Sequence, residues 1–127
     1  MTLKDPDLFR NAALIDGDWR ARPGLTVTNP ATGEPLGNLP DCTAADTEEA
    51  IAAAERAMKG WAARTHAERA DLLMAWYRLI LDNTEDLAQI LTAEQGKPLA
   101  EARGEVAYSA SFVRWFAEEA RRINGKI

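Results

Sequence analysis

Cysteine and histidine are nearly missing from this chain: it has one of each, Cys42 and His66. A single cysteine excludes an internal disulfide framework and a Cys-rich zinc site. Basic charge is also short, with 15 Lys and Arg against 20 Asp and Glu for a formal net charge of −5. There is no basic tract, so binding along a nucleic acid is not expected, because phosphate neutralisation needs clustered cations. Long apolar runs are lacking too. The longest, residues 72–77, falls far short of the ~20 residues a membrane span requires, so no membrane partner is expected. The opening MTLKDPDLFR is charged throughout and has no apolar stretch of the secretory kind. The expected compartment is reducing and cytoplasmic. Phosphate loops of the forms GxGxxG and GxxxxGK[ST] are absent, and no paired-carboxylate or His-rich metal spacing appears.

What remains is an ordinary globular composition, 46% apolar and 28% charged, that changes character near residue 42. Before that point prolines and glycines punctuate short β-type segments. Ala13-Leu14-Ile15 runs into Asp16-Gly17, a two-residue hairpin signal, and Asp18-Trp19-Arg20 is the return. Leu25 to Thr28 alternates and is β-branched until Asn29-Pro30 stops it. Thr32-Gly33 turns the chain into a weak segment, residues 35–39. Three or four short antiparallel strands are expected.

Four α-helices follow. Thr43 with Asp46, and Thr65 with Glu68, have the spacing of capping boxes, an oxygen at the N-cap and an acid three residues on. The first helix places Ile51, Ala54, Met58 and Trp61 on one face and is expected to end at Gly60. The second buries Leu72, Leu73, Trp76, Leu79 and Ile80 and closes at Asn83. The third turns Leu87, Ile90 and Leu91 inward, with Gly96 and Pro98 as its stop. The fourth runs from about Pro98 to Asn124-Gly125, with Ala102, Val106, Ser109, Val113, Phe116, Ala120 and Ile123 as its apolar stripe. Gly104 in its interior costs about 1 kcal/mol against alanine. Together with Ala107, Ser109, Ala110 and Ser111 it lets something approach the backbone. Spacing alone leaves open whether that is a second helix or a ligand channel.

Few groups offer chemistry. Cys42 needs a base to act as a nucleophile, and His66 opens the second helix. The plain reading is a loop cysteine and a solvated helix-start histidine. Glu94 and Lys97 flank Gly96 in a charged turn of the type that ends helices. These residues alone make no convincing active site.

Longer stretches carry more information. VTNPATGEPL (residues 27–36), EQGKPLAEARGEV (94–106) and FVRWFAEEARRING (112–125) resemble the N-terminal segment of the NAD(P)-dependent aldehyde dehydrogenase superfamily. LFRNAALIDGDW (8–19) and AERADLL (67–73) are similar to its first hairpin and second helix. Within the superfamily the likeness is strongest to the succinate-semialdehyde dehydrogenase branch, with glutarate-semialdehyde enzymes as near relatives. The resemblance implies an α/β fold of the aldehyde dehydrogenase kind. In that fold residues 1–42 form a strand-rich arm and 43–127 the helical part of the cofactor domain. The chain is then an N-terminal fragment. The nucleophilic cysteine, the base glutamate, the PWNFP segment and the NAD or NADP contacts of the family find no counterpart here, so Cys42 is not the nucleophile.

The implied whole protein is a homo-oligomer that takes a small aldehyde. A cysteine thiolate adds to the aldehyde, hydride leaves to the nicotinamide, and a glutamate-activated water releases the acid. Residue by residue, the resemblance implies that Gly104 and Tyr108 face the substrate tunnel. It also implies that a backbone carbonyl at Thr28, or at Val27 beside it, and the acid Glu94 help to hold a structural monovalent cation. Two other readings stand beside this one: a dehydrogenase for another aldehyde, and a non-catalytic helical interaction module.

The isolated chain is expected to form no reduced cofactor when mixed with succinate semialdehyde and NAD or NADP, followed by absorbance. Turnover that vanishes in Cys42→Ala would overturn the placing of Cys42 outside the chemistry.

Overall fold

A computed structural model describes residues 1–123. The strands lie between residues 13 and 40 and the α-helices between 44 and 119. β1 (Ala13–Ile15) and β2 (Asp18–Arg20) pair antiparallel, with Leu14 opposite Trp19. Asp16 and Gly17 both have positive φ, 53° and 86°, the backbone of a type I′ turn, whose twist matches that of the strands. β3 (Gly24–Thr28) pairs antiparallel with β4 (Pro35–Pro40), and the ladder is irregular between Val27 and Thr28. Between them the Asn29 amide donates to the Glu34 carbonyl at 2.9 Å, and the Asn29 side chain accepts from the Ala31 amide. The strands form two separate two-stranded sheets.

α1 (Ala44–Ala63) and α2 (His66–Asp82) both start with complete capping boxes. Asp46 accepts the Thr43 amide at 2.8 Å, and Glu68 accepts the Thr65 amide at 2.8 Å. These reciprocal bonds satisfy donors that a helix start otherwise leaves unpaired. Thr43 and its hydroxyl hold Asp46 below the usual carboxylate range, with Arg22 adding to the effect. Gly60 does not end α1. The helix passes through it to Ala63 and stops at Arg64, which is extended because Thr65 beside it must be extended to cap α2. Asn83 closes α2 as expected, its Nδ2 donating to the Leu79 carbonyl at 2.8 Å. α3 (Thr84–Gln95) ends at Gly96, whose φ of 80° is left-handed, the conformation that favours glycine there. α4 (Leu99–Glu119) uses Pro98 as its cap and tightens into a 3₁₀ turn at Ala120–Arg122. The expected stop at Asn124-Gly125 lies outside the described residues.

α4 packs on both α2 and α3. Its end is tied to the start of α2 by Arg121 and Asp71, while Ile80 near the end of α2 packs on the cluster that holds Ala102 and Val106 of the first half of α4, so the two run antiparallel. The core cluster is Ala88, Ala102 and Val106, with Ile80, Leu87, Leu91 and Leu99 packed around it. Elsewhere Ala70, Ala110 and Ala117 are buried. α1 stands apart, packed on β1 and pinned by Arg20 to Glu49 through two bonds of 2.6 and 2.7 Å, and by Arg56 to Asp16 at 2.8 Å.

The predicted stripes are corrected by this packing. Ile51, Met58 and Trp61 on α1, Leu72, Trp76 and Leu79 on α2, and Phe116 and Ile123 near the end of the chain are exposed, and so is Ser109. Periodicity ranked positions by size, whereas the helices meet through their smallest side chains. Trp76, Trp115 and Phe116 are 55%, 58% and 60% exposed.

Full burial of such a side chain is worth roughly 1.5–3 kcal/mol, and each of these forgoes about half of it. The chain on its own is therefore expected to bind an apolar-surface dye and to elute as an oligomer or a broad peak. A sharp monomer peak with a two-state melt would contradict this.

Candidate functional site

Two places in the fold collect the residues singled out above. The first is the outer face of α4. Gly104, Tyr108, Phe112 and Trp115 recur at spacings of four, four and three, so they share one side of the helix. Tyr108 is 64% exposed, and its ring meets Phe112 edge-on, with centroids 4.9 Å apart and planes at 83°. Such a pair is favoured by the ring quadrupoles. The Ser111 hydroxyl donates back to the Tyr108 carbonyl at 2.6 Å. A cleft of about 340 Å³ opens among Ser111, Phe112, Trp115 and Phe116. A Cβ built on Gly104 meets nothing within 4 Å, so among the described residues no helix packs against this glycine. At the start of the face Lys97 pairs with Glu105, and Arg103 grips Glu85 with bonds of 2.7 and 2.9 Å. Arg103 holds the Glu85 carboxyl below its usual range. The Tyr108–Phe112 contact was not anticipated, although an i, i+4 aromatic pair was visible in the spacing.

The second place is the corner where α3 ends. A Cβ on Gly96 would sit 2.8 Å from the Pro30 ring, so the β3–β4 turn abuts the α3–α4 corner. Thr28 lies at the start of that turn and Glu94 two residues before Gly96. Both side chains are exposed. The ladder irregularity at Val27/Thr28 interrupts regular pairing of the backbone there. Beside the corner is a cavity of about 310 Å³ that includes Asn29, Gln89 and Thr92, and the buried Thr92 hydroxyl has no partner. Among the described residues no group of three or more His, Cys, Asp or Glu could hold a metal ion. The residues shown to meet at this corner are Pro30 and Gly96, each two positions beyond Thr28 and Glu94.

Cys42 is exposed in the loop before α1, and His66 is exposed at the first position of α2. No hydrogen bond joins them. At the start of α1 the capping box already pairs Thr43 with Asp46, which accepts both the Thr43 amide and the Thr43 hydroxyl, at 2.8 and 2.7 Å.

Every α-helix start in this chain carries acid: Asp46 on α1, Glu68 on α2, Glu85 and Asp86 on α3, and Glu101 on α4. A dinucleotide pyrophosphate needs free amide donors and no competing negative charge, so these described residues do not fit a nicotinamide cofactor.

Residues 19–127 match the aldehyde dehydrogenase family. The chain belongs to that family. This aldehyde dehydrogenase chain is 56% identical to a 3-sulfolactaldehyde dehydrogenase of Pseudomonas putida, over 98% of its own length and 26% of the relative's. It is 54% identical to a glutarate-semialdehyde dehydrogenase of Pseudomonas putida, over 98% of its length and 27% of the relative's. Its fold superposes on the crystal structure of succinate-semialdehyde dehydrogenase from Burkholderia pseudomallei with a TM-score of 0.93 at 50% identity, covering 99% of this chain and 27% of that one. The chain therefore spans about a quarter of the length of the curated relatives it matches. The expected aldehyde dehydrogenase architecture, short antiparallel strands followed by four helices, is what the aldehyde dehydrogenase chain has.

The two glycines make opposite predictions for this aldehyde dehydrogenase segment. Gly104→Ala is expected to raise stability by about 0.5–1 kcal/mol, because its Cβ enters open space and the helix gains. Gly96→Ala is expected to lower it by about 1–2 kcal/mol through the left-handed backbone, with the clash at Pro30 added. The direction of the shift in unfolding midpoint, measured on full-length enzyme carrying this segment, checks both.

Proposed function

We propose that this chain is part of a dehydrogenase that oxidises a short aldehyde bearing an anionic group, succinate semialdehyde first among them, to the carboxylic acid with NAD or NADP. The observation that carries the reading is the family match over residues 19–127. The relatives supply the substrate class. 3-Sulfolactaldehyde, glutarate semialdehyde and succinate semialdehyde, named for three similar proteins, each join an aldehyde to a sulfonate or carboxylate across a few carbons. Glutarate semialdehyde is the second reading, favoured by the 54% identity to the enzyme named for it. One methylene changes selectivity by only about 10–200-fold, and its recognition belongs to residues outside this chain.

In this reading the outer face of α4 lines part of the substrate passage. Gly104 leaves room for the aldehyde chain, and Tyr108 beside it offers an aromatic wall. The described residues supply shape and exclude water there, and the reacting groups come from elsewhere in the whole protein. Thr28 and Glu94 supply oxygen donors at the α3 corner for a structural monovalent cation, again as a proposal that needs a further ligand from outside.

The test is a chimera in which this segment replaces its counterpart in the Burkholderia pseudomallei enzyme. The chimera is expected to oxidise succinate semialdehyde. Gly104→Leu in it should raise the aldehyde KM by about tenfold, a loss of binding shared by ground and transition states, while the cofactor KM stays within twofold. An unchanged aldehyde KM in a stably folded variant would remove Gly104 from the passage.

A further inference from the structure

Asp86 lies in the first turn of α3 and is only 4% exposed. Its two carboxylate oxygens are both committed to the start of the chain. Oδ1 accepts the Lys4 amide at 3.0 Å and Oδ2 accepts the Asp5 amide at 2.7 Å. Gln89, three residues further along the same helix, accepts the Thr2 amide through Oε1 at 3.0 Å. Asp5 in turn accepts the Asp7 amide at 3.0 Å and starts the 3₁₀ turn Pro6–Leu8. Two side chains of α3 therefore hold three backbone donors of the segment at residues 1–5, which bends at Lys4 and Asp5.

That segment walls two cavities. Leu3 and Lys4 close one of about 370 Å³ against Asp82 and Asn83. Met1 lines the other, of about 310 Å³, where the unpartnered Thr92 hydroxyl sits. Gln89 borders both. The residues that α3 packs into the helix core, Ala88 with Leu87 and Leu91, are different from those that hold the segment.

We propose that residues 1–5 are a detachable strap, latched across α3 by the Asp86 carboxylate, whose release opens both cavities and leaves the helices beneath folded. The latch is made of charge-assisted hydrogen bonds, which are stronger than neutral ones, and it has no apolar anchor in the core cluster. The charged groups around Asp86 are Lys4 and Asp5 on the strap, Asp82 at the end of α2, Glu85 beside it on α3, and Arg103 of α4, which is taken by Glu85. The Lys4 and Asp5 amides hold the Asp86 carboxyl below its usual range. A depressed carboxyl keeps its contribution above the ordinary value and loses it as pH falls through the lowered one. The strap is thus shut across the neutral range and opens in acid.

Amide hydrogen exchange on the chimera with the Burkholderia pseudomallei enzyme, in which this segment has the rest of the fold to pack on, tests this with two variants. Asp86→Asn keeps the shape but turns an NH₂ towards one backbone donor. Lys4→Pro removes one donor and leaves α3 untouched. In each, the Asp5 amide is expected to exchange about 10–100-fold faster, the scale of a lost bond to a charged acceptor. Amides of α3 and α4 should stay within about threefold of their starting rates, since their opening is a separate event. If Asp86→Asn also loosens α3, selective release in Lys4→Pro still supports the latch. Asp5 keeping its protection in Lys4→Pro, or losing it there only together with α3 and α4, overturns it.

Discussion

The structure depends on how closely three helix backbones approach one another. Ala70 on α2, Ala88 on α3, and Ala102, Ala110 and Ala117 on α4 are buried almost completely. A methyl group at an interface lets neighbouring helices come near enough for backbone and short side chains to fill space at the density of a protein interior. The larger residues then have nowhere to go between the helices. They stand at the margins as Ile80, Leu87, Leu91 and Leu99, with Trp76 half-exposed at the rim of a cleft lined by Ile80, Leu87 and Leu91, or lie largely in the open, as Trp115 does. The exposed aromatic face of α4, on which Tyr108 and Phe112 meet, is a result of that arrangement. A helix that buries its alanines displays what lies opposite them.

Outside this core, polar bonds do the positioning. α1 is held on the first hairpin by Arg20, Arg22 and Arg56, which reach Glu49, Asp46 and Asp16. Exposed pairs of this kind contribute little each, but they set direction. Asp46 answers to a helix cap and to Arg22 at once, so the start of α1 and the segment after β2 are placed by one carboxylate.

Local chemistry was therefore legible and packing was not. Both capping boxes, the Asp16-Gly17 turn, the Asn83 closure and the Gly96 stop follow from bonds within a few residues of one another, and the sequence displays those residues side by side. Gly60 misled because a glycine signals a stop only where the backbone turns left-handed, and here the demand of Thr65 decided the end of α1. The apolar stripes misled for a different reason. Hydrophobic periodicity reports which side of a helix is greasy, and greasy sides here include surfaces that meet nothing in the described residues. At the candidate site, Gly104 and Tyr108 are four residues apart on α4 and so share a side of it, a local spacing that the sequence displays. The Asp86 contact across more than eighty residues could not be read, because nothing in a Thr-Glu-Asp helix start names a distant backbone as its partner.

The contact between Pro30 and Gly96 ties the two halves of the chain at one point. The proline ring rests where a side chain would have been, against a left-handed residue whose geometry is set by the end of α3. The ring is rigid, and both the turn that carries it and the end of α3 hold a left-handed glycine, Gly33 at φ 75° and Gly96 at φ 80°. A methyl group at position 96 would have to displace that ring, so the β3–β4 turn can sit this close to the end of α3 only while the residue between them has no side chain.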